Sequence, residues 1–318
     1  MKWIIRVFLA LAAILVVAFL VFRVPDTDPD DMRAKYGGPP SRFVELENGL
    51  TVHLRDEGPR EALPVVLLHG SNADLHTWQP WADALAGEYR IVRFDQRGHG
   101  LTGPAPDNDY SRAAFGSDIE AIADQLGLTR FVVAGNSMGG GIAMQYALDH
   151  PERVVGLVLV DAAGAPVEQE VKGNIAFTIA ANPLLGPILS SLLPRSLVER
   201  SLSQSVSNQD VVTPEAVDRY WELARIPGNR AATRQRFTTP RSYFSAEQVA
   251  KASMPVLVMW GEEDALIPFQ AAGWYDRNLP DSRLVSYAGI GHLPHEEAPA
   301  QSVKDLREFL VTLPLNTQ

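Results

Sequence analysis

The chain has 318 residues, 46% of them hydrophobic and 21% charged, with a formal net charge of −10 at pH 7. That size and balance suit one large α/β domain or a core domain carrying an insertion. The negative charge, with no Lys/Arg-rich stripe to offset it, argues against nucleic acid as a partner. The absence of cysteine excludes disulfides, thiolate chemistry, Cys-ligated metals and a lipoprotein anchor.

Val7 to Phe22 is an unbroken apolar run, preceded by Lys2 and Arg6 and followed by Arg23. With Trp3, Ile4 and Ile5 included and Arg6 snorkelling, it reaches the ~20 residues that span a bilayer. A cleaved signal peptide would need a small-x-small site after the run, and Phe22-Arg23-Val24-Pro25 offers none. Residues 1–24 are therefore expected to form an uncleaved transmembrane signal anchor, with the membrane as a partner. Lys and Arg flank both ends, so charge does not orient the anchor. A short N-terminal tail before a long chain points to an inner-membrane protein with a periplasmic or extracellular catalytic part. Residues 25–41, with their Asp, Gly and Pro, are expected to be a tether.

Arg42–Leu46 and Thr51–Arg55 alternate polar and apolar around Asn48-Gly49, a hairpin signal. Pro64–Leu68 is a short buried-strand run ending at His69-Gly70. Arg90–Asp95 is another, followed by the turn Gln96–Gly100. Arg112–Leu126 has helical spacing, Phe131–Ala134 reads as a strand, and Met138–His150 as a helix. Val154–Val160, Pro255–Trp260 and Arg283–Tyr287 complete the strand series, and Pro299–Leu313 reads as a terminal helix. Strands that are apolar throughout and alternate with helices predict a largely parallel α/β sheet covered on both faces. Between Asp161 and Met254 the alternation stops. Helical patterns replace it at Ile175–Leu185, Ile188–Leu202, Pro214–Ala224 and Asn229–Phe237. A structureless loop of that length would be unusual, so a helical cap over the C-terminal edge of the sheet is expected. The expected organisation is core at 42–161, cap at 162–253, and core again at 254–318.

The most informative segment is Gly135-Asn-Ser-Met-Gly139, lying between an apolar strand and a helix. A serine on such a turn has its hydroxyl clear of the backbone, and its flanking glycines avoid collision with neighbouring chain. Chance alone would give about 0.1 such matches in a chain of this composition, so the rest of the chain has to supply partners. A serine hydroxyl needs a base, and the base needs a third group to hold its tautomer. Of seven histidines, His292 lies in a Gly-flanked loop just after the last strand, where it can reach across the sheet. His295 is its near rival. His69 and His99 are expected to brace their turns. Asp264 follows the strand ending at Trp260 and is the candidate acid. Asp161 is a second candidate, expected rather to brace a strand end, and Glu262 and Glu263 are expected to be solvated. The order Ser137, Asp264, His292 belongs to one particular fold.

Together His69-Gly70, Phe94–Gly100, Gly135–Gly139, Gly261–Pro268 and Gly291-His292-Leu-Pro resemble the α/β-hydrolase superfamily, including bacterial esterases and meta-cleavage-product hydrolases. The resemblance covers about Arg42 to Leu313 and implies an eight-stranded-type sheet with a cap. It also implies a catalytic triad of Ser137 as nucleophile, His292 as base and Asp264 as orienting acid. The implied oxyanion hole is the backbone N–H groups of Met138 and of Ser71, with Asn72 as the alternative to Ser71. No cofactor or metal is expected. A serine nucleophile is not the Asp that haloalkane dehalogenases and epoxide hydrolases need. Gly-Asn-Ser-Met-Gly-Gly is similar to the elbow of the C–C bond hydrolases, yet Ser71-Asn-Ala-Asp74 departs from their Gly-rich stretch after His-Gly. The apolar run Ile175–Leu189 is expected to form a greasy lid. The expected activity is serine hydrolysis of a hydrophobic carboxylic ester or lactone. The alternatives are C–C bond hydrolysis and a non-catalytic binding protein of the same fold.

Overall fold

A computed structural model describes residues 2–167, 186–239 and 242–314. Its centre is an eight-stranded sheet in the order β1-β2-β4-β3-β5-β6-β7-β8. The strands are β1 (Arg42–Glu45), β2 (Thr51–Glu57), β3 (Pro64–Leu68), β4 (Arg90–Phe94), β5 (Phe131–Asn136), β6 (Val154–Val160), β7 (Val256–Gly261) and β8 (Ser282–Tyr287). β2 runs antiparallel to β1 and to β4, and every pairing from β4 to β8 is parallel. The mostly parallel α/β sheet expected from the apolar runs is therefore present.

The central strands are apolar throughout because both of their faces are covered. Val66, Leu68, Val133, Leu159 and Val258 share one core with Ile119 and Ile122 of α4 (Arg112–Gln125), Ala143 and Ala147 of α5 (Met138–Asp149), and Tyr275. Their neighbours Val65, Leu67, Val132, Val158 and Leu257 face the other core, built on Trp78, on Trp81 of α3 (Gln79–Leu85), and on Leu306 and Phe309. Period-two alternation of side chains divides the two sets.

Between β6 and β7 the described chain is helical: α6 (Gly186–Ser190), α7 (Arg195–Ser205), α8 (Pro214–Ala224), α9 (Asn229–Thr238) and α10 (Ala246–Val249). α8 has the bounds read from its sequence, because Thr213 caps Ala216 N and Pro214 occupies the first turn. The stretch Ile188–Leu202, read as one helix, is two. Pro194 sits at the N-cap of α7 with ψ 147, a backbone angle that no helix interior has. Ile175–Leu185, and with it most of the run read as a greasy lid, lies outside the described residues. The remaining helices are α11 (Gln270–Asn278), α12 (Pro294–Glu297) and α13 (Pro299–Leu310).

The chain begins with helix α1 (Lys2–Phe22), whose described apolar side chains are largely exposed. Among the described residues no helix is long and apolar enough to cross a membrane. The expected transmembrane signal anchor is corrected by that finding, and so are the inner-membrane placement and the membrane as partner. The reason lies in the uncharged run rather than in the whole helix, which has 21 residues. Lys2 and Arg6 interrupt the first turns and leave Val7–Phe22 as the uninterrupted run. At 1.5 Å per residue that run covers about 24 Å, short of the ~30 Å hydrocarbon core.

The segment read as a tether is packed against the inserted helices. It contains α2 (Pro29–Tyr36), capped by Asp28, which accepts from Asp30 N. Val24 N donates to Ser191 O at 2.7 Å and Thr27 N to Arg225 O at 3.0 Å. Arg230 reaches back to Val24 O and Asp26, while Lys35 and Tyr36 both donate to Glu222 at 2.7 Å. Met32 is buried with Leu223 and Ile226.

Candidate active site

Ser137 stands between β5 and α5 with φ 54 and ψ −119, a conformation rare for a residue with a side chain. Neighbouring backbone enforces the turn. A Cβ on Gly135 would overlap the carbonyl of Gly139, and one on Gly139 would overlap the carbonyl of Leu68. As the first residue of α5, Met138 has a backbone N–H with no acceptor inside the helix. Among the described residues the N–H groups of Ser71, Asn72 and Met138 have no acceptor. The loop that carries Ser71 runs against the elbow, since a Cβ on Gly70 would stand 3.2 Å from Ser137 Cβ.

His292 Nδ1 lies 2.7 Å from Asp264 Oδ2, and both residues are buried. The other carboxylate oxygen of Asp264 accepts from Leu266 N at 2.7 Å and Ile267 N at 3.0 Å, which fixes the plane of the carboxylate. Asn136, the residue before Ser137, donates through Nδ2 to His292 O at 3.0 Å and to Val160 O at 3.2 Å. The elbow and the histidine loop are thereby joined. Among the described residues no hydrogen bond links Ser137 Oγ to the His292 ring, whose recorded partner is Asp264. Such bonds are often long before substrate binds.

Asp161 braces the sheet as expected, accepting from Gly261 N at 3.0 Å. It is also close to the site, for one ligand atom each of Asp161, Asp264 and His292 lies within 4.8 Å of the others. Burial first, then the Asp264 carboxylate, raises Asp161 well above the usual range, while Asp264 is the carboxylate that meets the His292 ring. Its own φ is 45, a strained value for a residue with a side chain. The rival His295 points elsewhere. It stacks on Trp78 with ring centroids 4.2 Å apart and meets Thr77 Oγ1 at 2.9 Å. Burial, with His292 nearby, lowers it to about 3.

His69 and His99 are buried turn braces. His69 Nδ1 lies 2.8 Å from Gly70 O, and Nε2 accepts from Gln96 N at 3.0 Å. His99 meets Arg97 O at 3.0 Å. Burial lowers both rings, His99 well below the ordinary range. Glu262 is exposed and accepts from Ser286 Oγ at 2.7 Å.

Sequence reasoning did not single out Asn136, Asp74, Arg219 or Glu297. Asn136 lies inside the quoted elbow motif, but its bond to His292 O spans 156 residues. Asp74 pairs with Arg219 of α8 at 3.2 Å, and Glu297 accepts four backbone N–H groups. Nothing in residue type or spacing marks these partners. Both contacts bring inserted helices onto the loops that follow β3 and β8, and Arg236 of α9 likewise donates to Gly98 O after β4, at 2.9 Å.

The chain is 27% identical over 293 residues to 2-hydroxymuconate semialdehyde hydrolase of Pseudomonas sp., covering 88% of this chain and 97% of that protein. It is 27% identical over 252 residues to lipase 3 of Moraxella sp., covering 77% and 76%. A thermophilic esterase from Thermogutta terrifontis, solved with malate bound, is similar in structure with a TM-score of 0.71 and 26% identity, covering 86% and 98%. Residues 64–299 match the family described as the α/β hydrolase fold, and the chain belongs to that family.

Proposed function

We propose that the protein is a serine hydrolase that cleaves a hydrophobic carboxylic ester or lactone through an acyl-enzyme on Ser137. The observation that carries the reading is the buried His292–Asp264 pair, tied by Asn136 to the strained elbow of Ser137. In this mechanism Ser137 Oγ attacks the carbonyl carbon and His292 Nε2 takes its proton. Asp264 holds the proton of Nδ1 and so keeps Nε2 free as the base. Charge develops on the carbonyl oxygen, where the N–H groups of Met138 and of Ser71 or Asn72 receive it. Each such donor contributes about 3–4 kcal/mol to the transition state in the best-studied case. His292 then gives its proton to the leaving alcohol, and water, activated by the same ring, releases the acid. The assignment of Asp264 over Asp161 as acid rests on the 2.7 Å bond to the imidazole.

Ester cleavage is supported by the names of two similar proteins, a lipase and an esterase, and by the Ser71-Asn-Ala-Asp74 stretch. A second reading, C–C bond hydrolysis, is supported by the relative named as a semialdehyde hydrolase. A panel of p-nitrophenyl esters of graded chain length, run beside a ring-fission dienoate, separates the two. Turnover of the dienoate alone overturns the ester reading. Covalent labelling by a fluorophosphonate, lost in Ser137→Ala, tests the nucleophile itself. Folded wild-type protein that resists the label would instead be a binding protein of this fold.

A further inference from the structure

Glu297 lies five residues after His292, at the end of α12, and is buried. Its carboxylate accepts from backbone on both sides of the histidine. Gly291 N donates to Oε2 at 3.0 Å and Leu293 N donates to Oε1 at 3.0 Å. Oε2 also accepts from Ser207 N at 2.8 Å and Asn208 N at 3.0 Å, in the inserted segment just after α7. Asn208 returns a side-chain bond to Glu297 O at 3.4 Å. His292 N itself donates to Ser205 O at 2.8 Å, at the end of α7.

A carboxylate is the one side chain with enough acceptor positions to serve four N–H donors at once. Each of those charge-assisted bonds is stronger than its neutral counterpart, and an amide in the same place would turn a donor toward a donor. The arrangement fixes the two peptide units that set the direction of the His292 side chain. It fixes them against the inserted helices rather than against the sheet alone.

We infer that Glu297 is a positioning residue for the base, which holds the His292 loop in register and couples that register to the seating of the inserted helices. The inference rests on the Ser137–His292 reading above. It adds that the base is placed from both ends: Asp264 orients the ring and Glu297 orients the backbone that bears it. When the segment around Ser207 and Asn208 leaves, Oε2 loses two of its three donors and the loop loses part of its clamp.

The test compares Glu297→Gln and Glu297→Ala in the full chain, with active sites counted by fluorophosphonate titration so that rates refer to folded enzyme. Misplacing a catalytic group by about 1 Å costs up to ~100-fold, so kcat is expected to fall about 10- to 100-fold, less in Gln than in Ala, with KM nearly unchanged. Ser302→Ala is the control for stability alone. It removes the 2.9 Å bond from Trp81 Nε1 and should lower Tm without lowering kcat. Wild-type kcat in folded Glu297→Ala, or a loss confined to KM, overturns the inference. Where neither variant folds, amide exchange on the wild-type protein decides. The amides of Gly291, Leu293, Ser207 and Asn208 should open as one group, and independent exchange of the two pairs overturns the coupling. Failure of the Ser137 reading is separate, because it would appear as wild-type protein that resists the probe or as Ser137→Ala that still takes it.

Discussion

Arg219 Nε donates to Asp74 Oδ2 at 3.2 Å, joining α8 to the loop that also carries Ser71. The other oxygen of Asp74 accepts from His76 N at 2.9 Å and His76 Nδ1 at 2.6 Å. Burial works to raise the Asp74 carboxyl, yet Arg219 and His76 hold it far below the ordinary range. The folded state therefore binds fewer protons than the unfolded one. The stability this gives is present above the unfolded value near 3.8 and is lost as pH falls below it. Breaking one side of a buried pair leaves an uncompensated charge, so Arg219→Met should cost about 3–5 kcal/mol at neutral pH. Adding Asp74→Asn should restore much of that loss. Urea unfolding of the two single variants and the double variant measures both effects, and simple additivity would contradict the pairing.

The acid of the proposed triad is tested by a pair of amide variants. Asp264→Asn turns a donor toward His292 Nδ1 and imposes the wrong tautomer, a change that costs about 10⁴-fold in kcat where it has been measured. Asp161→Asn leaves the Asp264–His292 bond in place and should leave kcat within about tenfold. Ester-hydrolysis rates for the two variants should differ by orders of magnitude. Equal losses would move the acid role toward Asp161.

His295 makes the fold sensitive to acid. Burial and the neighbouring His292 lower its ring from 6.5 to about 3, so between those values the unfolded chain binds a proton that the native state refuses. Stability should therefore fall as pH drops from 6.5 toward 3. For this one group the slope approaches 1.4 kcal/mol per pH unit. His295→Gln, which cannot titrate, should flatten that part of the curve. Unfolding free energies across pH 4–7 in both proteins supply the comparison.

Arg230 should govern the attachment of the N-terminal segment. Its guanidinium donates to Val24 O at 2.9 Å, to Ser190 O at 3.1 Å and to Asp26. Arg230→Ala removes these bonds while touching nothing in the sheet. Limited proteolysis should then cut faster within residues 20–40 and around Ser190, with the thermal unfolding of the sheet little changed. Unaltered cleavage at both places would show that other contacts hold the segment.

The strands were legible because both faces of a parallel sheet demand apolar side chains, and few other structures do. α8 was legible because its start signal, Thr213-Pro214, is local. Two elements differ from the expectation although their signals are equally local. Pro194 breaks Ile188–Leu202, and Asp28-Pro29 opens a helix inside the supposed tether. In both, a capping residue sets the local structure against the apolar periodicity or loop composition around it. The apolar N-terminal run forms helix α1, but the expected membrane span is corrected, because Lys2 and Arg6 limit its uninterrupted length. Ser137, Asp264 and His292 stand as candidates on motif order alone. Glu297 could not, because its four partners are main-chain groups and two of them lie 90 and 89 residues away. Main-chain partners leave no trace in residue type.

The packing of residues 24–36 on α8 and α9 has a mechanical consequence. These contacts lie between α1 and the first strand, so tension applied to the beginning of the chain meets the inserted helices before it meets the sheet. A load on the N-terminal helix would be felt first by the elements that also brace the Ser71 and His292 loops. Residues 24–36 thus link the N-terminal helix to the helices that pack over those loops.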